Sequence, residues 1–144
     1  MVLIHTQIEI AAPPEKVRDI FLDFPKLSEW HKGLFKAIEY APGKTTADVG
    51  DKLKVIGEGM TFEPIVLENS PAKLEWRGSL PYIFTGIHSY QFRPSQKNPG
   101  HTTLVQEENF TGLLSPLMWT SFGSSTKAGF EKLNADLKAK VESS

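Results

Sequence analysis

Between Tyr82 and Phe92 every second residue is aromatic, imidazole or glycine: Tyr82, Phe84, Gly86, His88, Tyr90 and Phe92. An extended run with this parity turns the aromatic face inward. His88 would then stand between aromatic walls, where low dielectric favours neutral imidazole and the ring can take or give a proton near neutral pH. The alternative is a ring satisfied by a carbonyl or a neighbouring side chain, or one facing solvent. In the next run Gln106, Glu108 and Phe110 share one parity and Val105, Glu107 and Asn109 the other, so the two glutamates point opposite ways. An inward Glu108 would orient the His88 ring as a carboxylate does in an imidazole dyad, and its pKa would rise if it were desolvated without a partner. An outward one is a solvated carboxylate beside Lys or Arg. His88, Tyr90 and Glu108 form the candidate catalytic set.

The candidate ligand-binding set is apolar and aromatic: Trp30, His31, Trp76, Tyr82, Phe84, Phe92, Phe110, Met118 and Phe122. Trp30 and His31 sit where a short helical pair would close the mouth of a cavity, with Trp30 stacking on a planar ligand and His31 at the rim. The competing reading of Trp30 is a plug at the end of the core. Arg77 shares its parity with Lys73 and Glu75 and belongs on an outer face.

Several chemistries lack support. His5, His31, His88 and His101 show no HxH or HExxH spacing, so no metal site is expected, and there is no cysteine. GxGxxG, GxxxxGK[ST] and GxSxG are all missing, and no cofactor is expected. Sixteen Lys and Arg against 17 Asp and Glu give a net charge of −1, no field for nucleic acid or anionic lipid. No run approaches the roughly 20 apolar residues that span a bilayer. A cytoplasmic protein without membrane insertion, monomer or homodimer, is expected.

The 144 residues match one domain, 1–144. Ile4, Thr6, Ile8 and Ile10 alternate with His5, Gln7 and Glu9 as in a half-buried strand. After Ala12-Pro13-Pro14, the stripe Val17, Ile20, Phe21 and Phe24 predicts an amphipathic helix stopped by Pro25, and a second helical turn follows over Leu27 to His31. Turn signals at Pro42-Gly43, Gly50-Asp51, Asn69-Ser70-Pro71 and Asn98-Pro99-Gly100 separate strands expected near 34–40, 52–58, 62–68, 73–79, 83–93 and 102–111. Ser115-Pro116 opens a long helix whose stripe runs through Leu114, Met118, Phe122, Thr126, Phe130, Leu133, Leu137 and Val141. Its first half carries Ser121, Gly123, Ser124, Ser125, Ala128 and Gly129, which either permit close packing or leave space for a ligand.

That order, with Ala11-Ala12-Pro13-Pro14-Glu15-Lys16-Val17, Ser28-Glu29-Trp30-His31, Leu74-Glu75-Trp76-Arg77-Gly78, Gly86-Ile87-His88-Ser89-Tyr90-Gln91-Phe92 and Glu107-Glu108-Asn109-Phe110-Thr111-Gly112-Leu113-Leu114, resembles the SRPBCC superfamily, nearest to its polyketide cyclase/dehydrase-like domains. The resemblance implies an α+β helix-grip fold: a seven-stranded curved antiparallel sheet wrapped around a long C-terminal helix, with two short helices between strands one and two. It also implies an internal cavity for a hydrophobic or aromatic small molecule and no obligatory cofactor. It does not fix a reaction, since members of the superfamily bind lipids, hormones and polyphenols or catalyse cyclisation, aromatisation or condensation. Cyclase/dehydrase-like proton transfer, non-catalytic carriage or sensing, and a co-chaperone-like interaction module all stand as readings.

Overall fold

The alternation at the N-terminus produces β1 (Val2–Ile10), whose Ile4, Thr6 and Ile10 are buried while His5, Gln7 and Glu9 are not. The computed structural model describes residues 2–80, 84–112 and 115–144, with backbone alone at 80, 84 and 115–122. Pro14 starts α1 (Pro14–Leu22), where a missing N–H costs nothing. The helix stops two residues before the end of the expected stripe, and Phe24–Lys26 forms a 3-10 turn around Pro25 before α2 (Leu27–Trp30). The remaining strands are β2 (Phe35–Glu39), β3 (Lys54–Gly57), β4 (Thr61–Phe62), β5 (Ile65–Ser70), β6 (Lys73–Leu80), β7 (Phe84–Pro94) and β8 (Thr102–Thr111), and the chain closes with α3 (Ser115–Glu142).

All described pairings are antiparallel. The large sheet runs β1-β8-β7-β6-β5, so the first and last strands are neighbours, and β2-β3-β4 form a smaller sheet. The run expected as one strand over 62–68 is divided at Glu63-Pro64, because proline has no N–H to donate to a ladder. Its first part pairs with β3 and its second with β6. The two sheets stay joined there by the Lys52–Ile65 bridge and by Leu53 N–H donating to the Pro64 carbonyl at 3.0 Å.

The inner face of the large sheet carries Leu74 and Trp76 (β6), Tyr90 and Phe92 (β7), and Leu104 (β8), buried against Phe21 of α1 and Leu133, Leu137 and Val141 of α3. Each such side chain, fully buried, contributes roughly 1.5–3 kcal/mol. Helix α3 crosses this face with a fixed direction. Its far end is tied to the end of β1, where Ala11 N–H donates to Glu142 and Lys138 donates to the Glu9 carbonyl. Phe130 and Asn134 meet Gln106 midway along β8. Moving from Gln106 towards Phe110 therefore moves towards the first half of α3, where the small residues lie. None of the described helices is long and apolar enough to cross a membrane.

Candidate functional site

Cross-strand register decides which glutamate turns inward. His88 lies opposite Glu108, and Ser89 opposite Glu107. Glu107 is on the outer face with His5 Nδ1 2.7 Å away and Gln91 Nε2 at 3.0 Å. Glu108 joins His88 on the inner face, its Oε1 3.4 Å from Nδ1. Its carboxylate rests over Gly86, and a Cβ at that glycine would run into Oε2. Glycine in the middle of β7 thus makes room for the acid, in the way a strand glycine marks a close approach.

His88 is 3% exposed, stacked on Tyr90 with ring centroids 4.6 Å apart, and flanked by Phe130 at 4.7 Å and Trp76 at 5.3 Å. Burial drives its pKa down to about 4, only partly offset by its hydrogen bond to Gln106, so the ring is neutral at pH 7. Burial pushes Glu108 up to about 8, because among the described residues no lysine or arginine approaches it. The 3.4 Å contact joins a neutral imidazole and a protonated carboxyl and is therefore not an ion pair. It is longer than a well-formed hydrogen bond, so the proton rests on the carboxyl and the imidazole is its nearest base. The Tyr90 phenol is pushed well above its ordinary value by burial and then by Glu108, and among the described residues its hydroxyl has no partner.

Behind His88 runs a polar chain absent from the sequence reading. His88 Nε2 lies 2.9 Å from Gln106 Oε1, and Gln106 Nε2 donates to Asn134 Oδ1 at 2.7 Å and to the Phe130 carbonyl at 3.2 Å. Asn134 Nδ2 donates to Thr6 Oγ1 at 2.8 Å, and Thr6 donates to the Gln106 carbonyl at 2.7 Å. The available signal was Asn134 itself, a polar residue at i+4 from Phe130 on an otherwise apolar stripe.

The other expected residues divide. Trp76 is buried beside His88, Phe92 is buried farther along β7 against Phe21, and Phe110 is half-buried at the far end of β8. Trp30 packs half-buried against the core, and its Nε1 has no partner among the described residues. His31 faces α3: Nδ1 is 2.8 Å from Asp136, while Nε2 accepts from Leu34 N–H at 3.1 Å and Phe35 N–H at 3.4 Å. The positive φ of Gly33, 131°, turns the chain so that those amides point back at the ring. Burial lowers the His31 pKa more than Asp136 raises it. Burial raises that of Asp136, but Lys132 and His31 outweigh it and bring it below the ordinary carboxylate value. Tyr82 lies outside the described residues, as do the side chains of Phe84, Met118 and Phe122. Arg77 is exposed on the outer face.

An antiparallel sheet gripping one long helix, with a proton-bearing pair on its inner face, places the chain among α+β helix-grip domains. A family profile described as "Polyketide cyclase / dehydrase and lipid transport" matches residues 1–142, and the chain belongs to that family. No curated protein matches it in sequence. Among solved structures, it is similar to a hypothetical protein from Helicobacter pylori at 15% identity and a TM-score of 0.80, covering 97% of this chain and 88% of that one. It is also similar to norcoclaurine synthase from Thalictrum flavum, solved with a transition-state analogue, at 11% identity and a TM-score of 0.73, covering 99% and 94%. A START superfamily protein from Mycobacterium smegmatis aligns at 16% identity and a TM-score of 0.69, covering 98% and 97%. At such identities the likeness is one of fold.

Proposed function

We propose that the domain encloses a hydrophobic or aromatic small molecule between the inner sheet face and the first half of α3, and that Glu108, backed by His88, moves protons on it in a cyclase or dehydrase manner. One observation carries this reading: two ionisable side chains face each other inside an aromatic wall without a counter-ion. A merely structural ion pair would be charged and saturated with hydrogen bonds. Here one proton rests on the Glu108 carboxyl with the neutral His88 imidazole facing it.

The pair can work in either direction. Passing the Glu108 proton to His88 Nδ1 leaves a carboxylate able to take a proton from a ligand carbon beside a carbonyl. The imidazolium formed is flanked by Tyr90 and Phe130, whose ring faces favour a cation. Returning that proton through Glu108 to a departing hydroxyl releases water and restores the starting state, which is a net dehydration with no external acid or base. General acid–base catalysis of this kind supplies about 10²–10⁴-fold.

Native mass spectrometry with polyketide, polyphenol and lipid compounds, followed by chromatography of each recovered ligand, tests the proposal. A bound compound recovered with altered retention, and a loss of about 10²–10⁴-fold in that conversion in Glu108→Gln, is the expected result. Unchanged recovery of every bound compound would make the domain a carrier or sensor, and no binding to any class would favour an interaction module.

A further inference from the structure

The hydrogen-bond chain behind His88 ends at both sides on backbone carbonyls, and a carbonyl can only accept. At one end the Phe130 carbonyl lies 3.2 Å from the Gln106 side chain, so the Gln106 atom there must be the NH2 group, which also reaches Asn134 at 2.7 Å. At the other end Thr6 must give its only proton to the Gln106 carbonyl, 2.7 Å away, so its oxygen accepts from Asn134. The Asn134 NH2 therefore faces Thr6 and its Oδ1 faces Gln106. Neither amide can be flipped without setting acceptor against acceptor, and all of these side chains are buried, so water cannot repair a mismatch. The only atom of Gln106 left for His88 is Oε1, at 2.9 Å. An oxygen there requires a hydrogen on His88 Nε2.

From this geometry we infer that Gln106 is a positioning residue: it fixes neutral His88 as the Nε2–H tautomer, so that Nδ1, facing Glu108, is the basic nitrogen of the site. This deepens the proposed function and rests on it for its catalytic meaning. The tautomer itself is a property of the unliganded protein. Without the fixed amide, neutral imidazole would be free to carry its hydrogen on Nδ1 instead, where it would face the Glu108 proton and block the transfer. The same chain ties three elements together, β1 through Thr6, β8 through Gln106 and α3 through Asn134, so the helix position and the histidine tautomer are set by one set of bonds.

Long-range ¹H–¹⁵N correlation spectra of the ligand-free wild-type protein at pH 7 report which His88 nitrogen is protonated. A protonated Nε2 with an unprotonated Nδ1 is the expected result; Nδ1–H, or an even mixture, overturns the inference. In Gln106→Met, similar in size but without an amide, the spectrum should change to a mixture of both tautomers, and an unchanged single tautomer would show that Gln106 does not position the ring. Should that variant fail to fold, Gln106→Leu, likewise without an amide, gives the same reading: a mixture of tautomers is expected, and an unchanged single tautomer removes Gln106 from the role. The wild-type spectrum tests the tautomer whatever either variant does. Because no ligand is present, a wrong tautomer and a failure of the proposed proton transfer are distinguishable: the former appears in these spectra, the latter only in ligand recovery.

Discussion

Among the described residues two buried histidines each face a carboxylate, in arrangements built to opposite specifications. At the α2–β2 turn, His31 uses both nitrogens: Nε2 accepts from two backbone amides and Nδ1 donates to Asp136, whose Oδ2 also receives Lys132 Nζ at 2.5 Å. Every polar atom of that ring is engaged, and it pins the turn carrying Leu34 onto α3, where Leu34 lies so near Gly129 that a Cβ there would stand 3.1 Å from its Cδ1. On the inner sheet face His88 is equally buried, but among the described residues its carboxylate has no cation, and their contact is 3.4 Å. The contrast shows that the surroundings of the carboxylate decide between latch and proton store. Asp136, held by Lys132, remains charged and holds His31 still, while Glu108, left alone, keeps its proton.

Replacing each ring by phenylalanine gives the largest separation between the two. His31→Phe strands the Leu34 and Phe35 amides without an acceptor, and unpaired buried donors cost about 1–3 kcal/mol each, so a loss of about 3 kcal/mol in urea unfolding at pH 7 is expected. His88→Phe leaves only Gln106 Oε1 without its donor among aromatic neighbours that accept a phenyl ring, and about 1 kcal/mol should be lost. Equal losses would break the distinction between latch and proton store.

The pH dependence of stability sharpens it further. Glu108 is protonated in the fold up to about 8 but has an ordinary value of 4.5, so between these limits the folded state holds an extra proton and stability falls as pH rises. His88 stays neutral in the fold down to about 4 against an ordinary 6.5, so between these limits the unfolded state holds the extra proton and stability rises with pH. From 4.5 to 6.5 the two slopes cancel, since folding moves one proton from His88 to Glu108 without changing the number bound. Above 6.5 Glu108 gives the main slope, about 2 kcal/mol lost by pH 8, joined by a smaller fall from exposed His5, whose pKa is raised by its hydrogen bond to Glu107. Glu108→Gln should remove the main part of that loss and expose the His88 slope below 6.5. His31, also lowered by burial, adds its own loss as pH falls below 6.5, and this part should disappear in His31→Phe. A wild-type protein whose stability is level from pH 6.5 to 8 would mean that Glu108 is ionised in the fold.

These two pairs were unequally visible in the sequence. Strand parity alone brought His88 and Tyr90 to one face, and it showed that Glu107 and Glu108 diverge, because a period of two is local information. Which glutamate is inward needed the register of β7 against β8, and that depends on partners many residues apart. Gln106 shared the parity of Glu108, but its role depends on Asn134 of α3 and Thr6 of β1, which no local pattern connects. His31 was placed at a rim because a helix end near the mouth of a cavity suggested exposure. Its binding to Asp136, on an element 105 residues away, turns on how α3 docks. The division of the expected 62–68 strand was within reach, since Pro64 cannot donate to a ladder.

The smallest effect expected tests whether charge or hydrogen bonding holds the latch. Asp136→Asn retains an oxygen that accepts from His31 Nδ1 while removing the charge that attracts Lys132. Lys132 and Asp136 are an i,i+4 pair on a helix face, with the lysine side chain about half exposed, and such pairs contribute about 0.3–0.5 kcal/mol. The unfolding free energy should therefore change by less than about 1 kcal/mol. Ligand conversion should be unaffected, because nothing in the His88–Gln106–Asn134–Thr6 chain touches Asp136. The matching change in the inner pair, Glu108→Gln, reverses the pattern: little loss of stability at pH 7 and a large loss of conversion. If Asp136→Asn instead destabilised the fold as much as His31→Phe, the latch would depend on the Asp136 charge, and the two pairs would differ in strength of interaction and not in saturation of their hydrogen bonds.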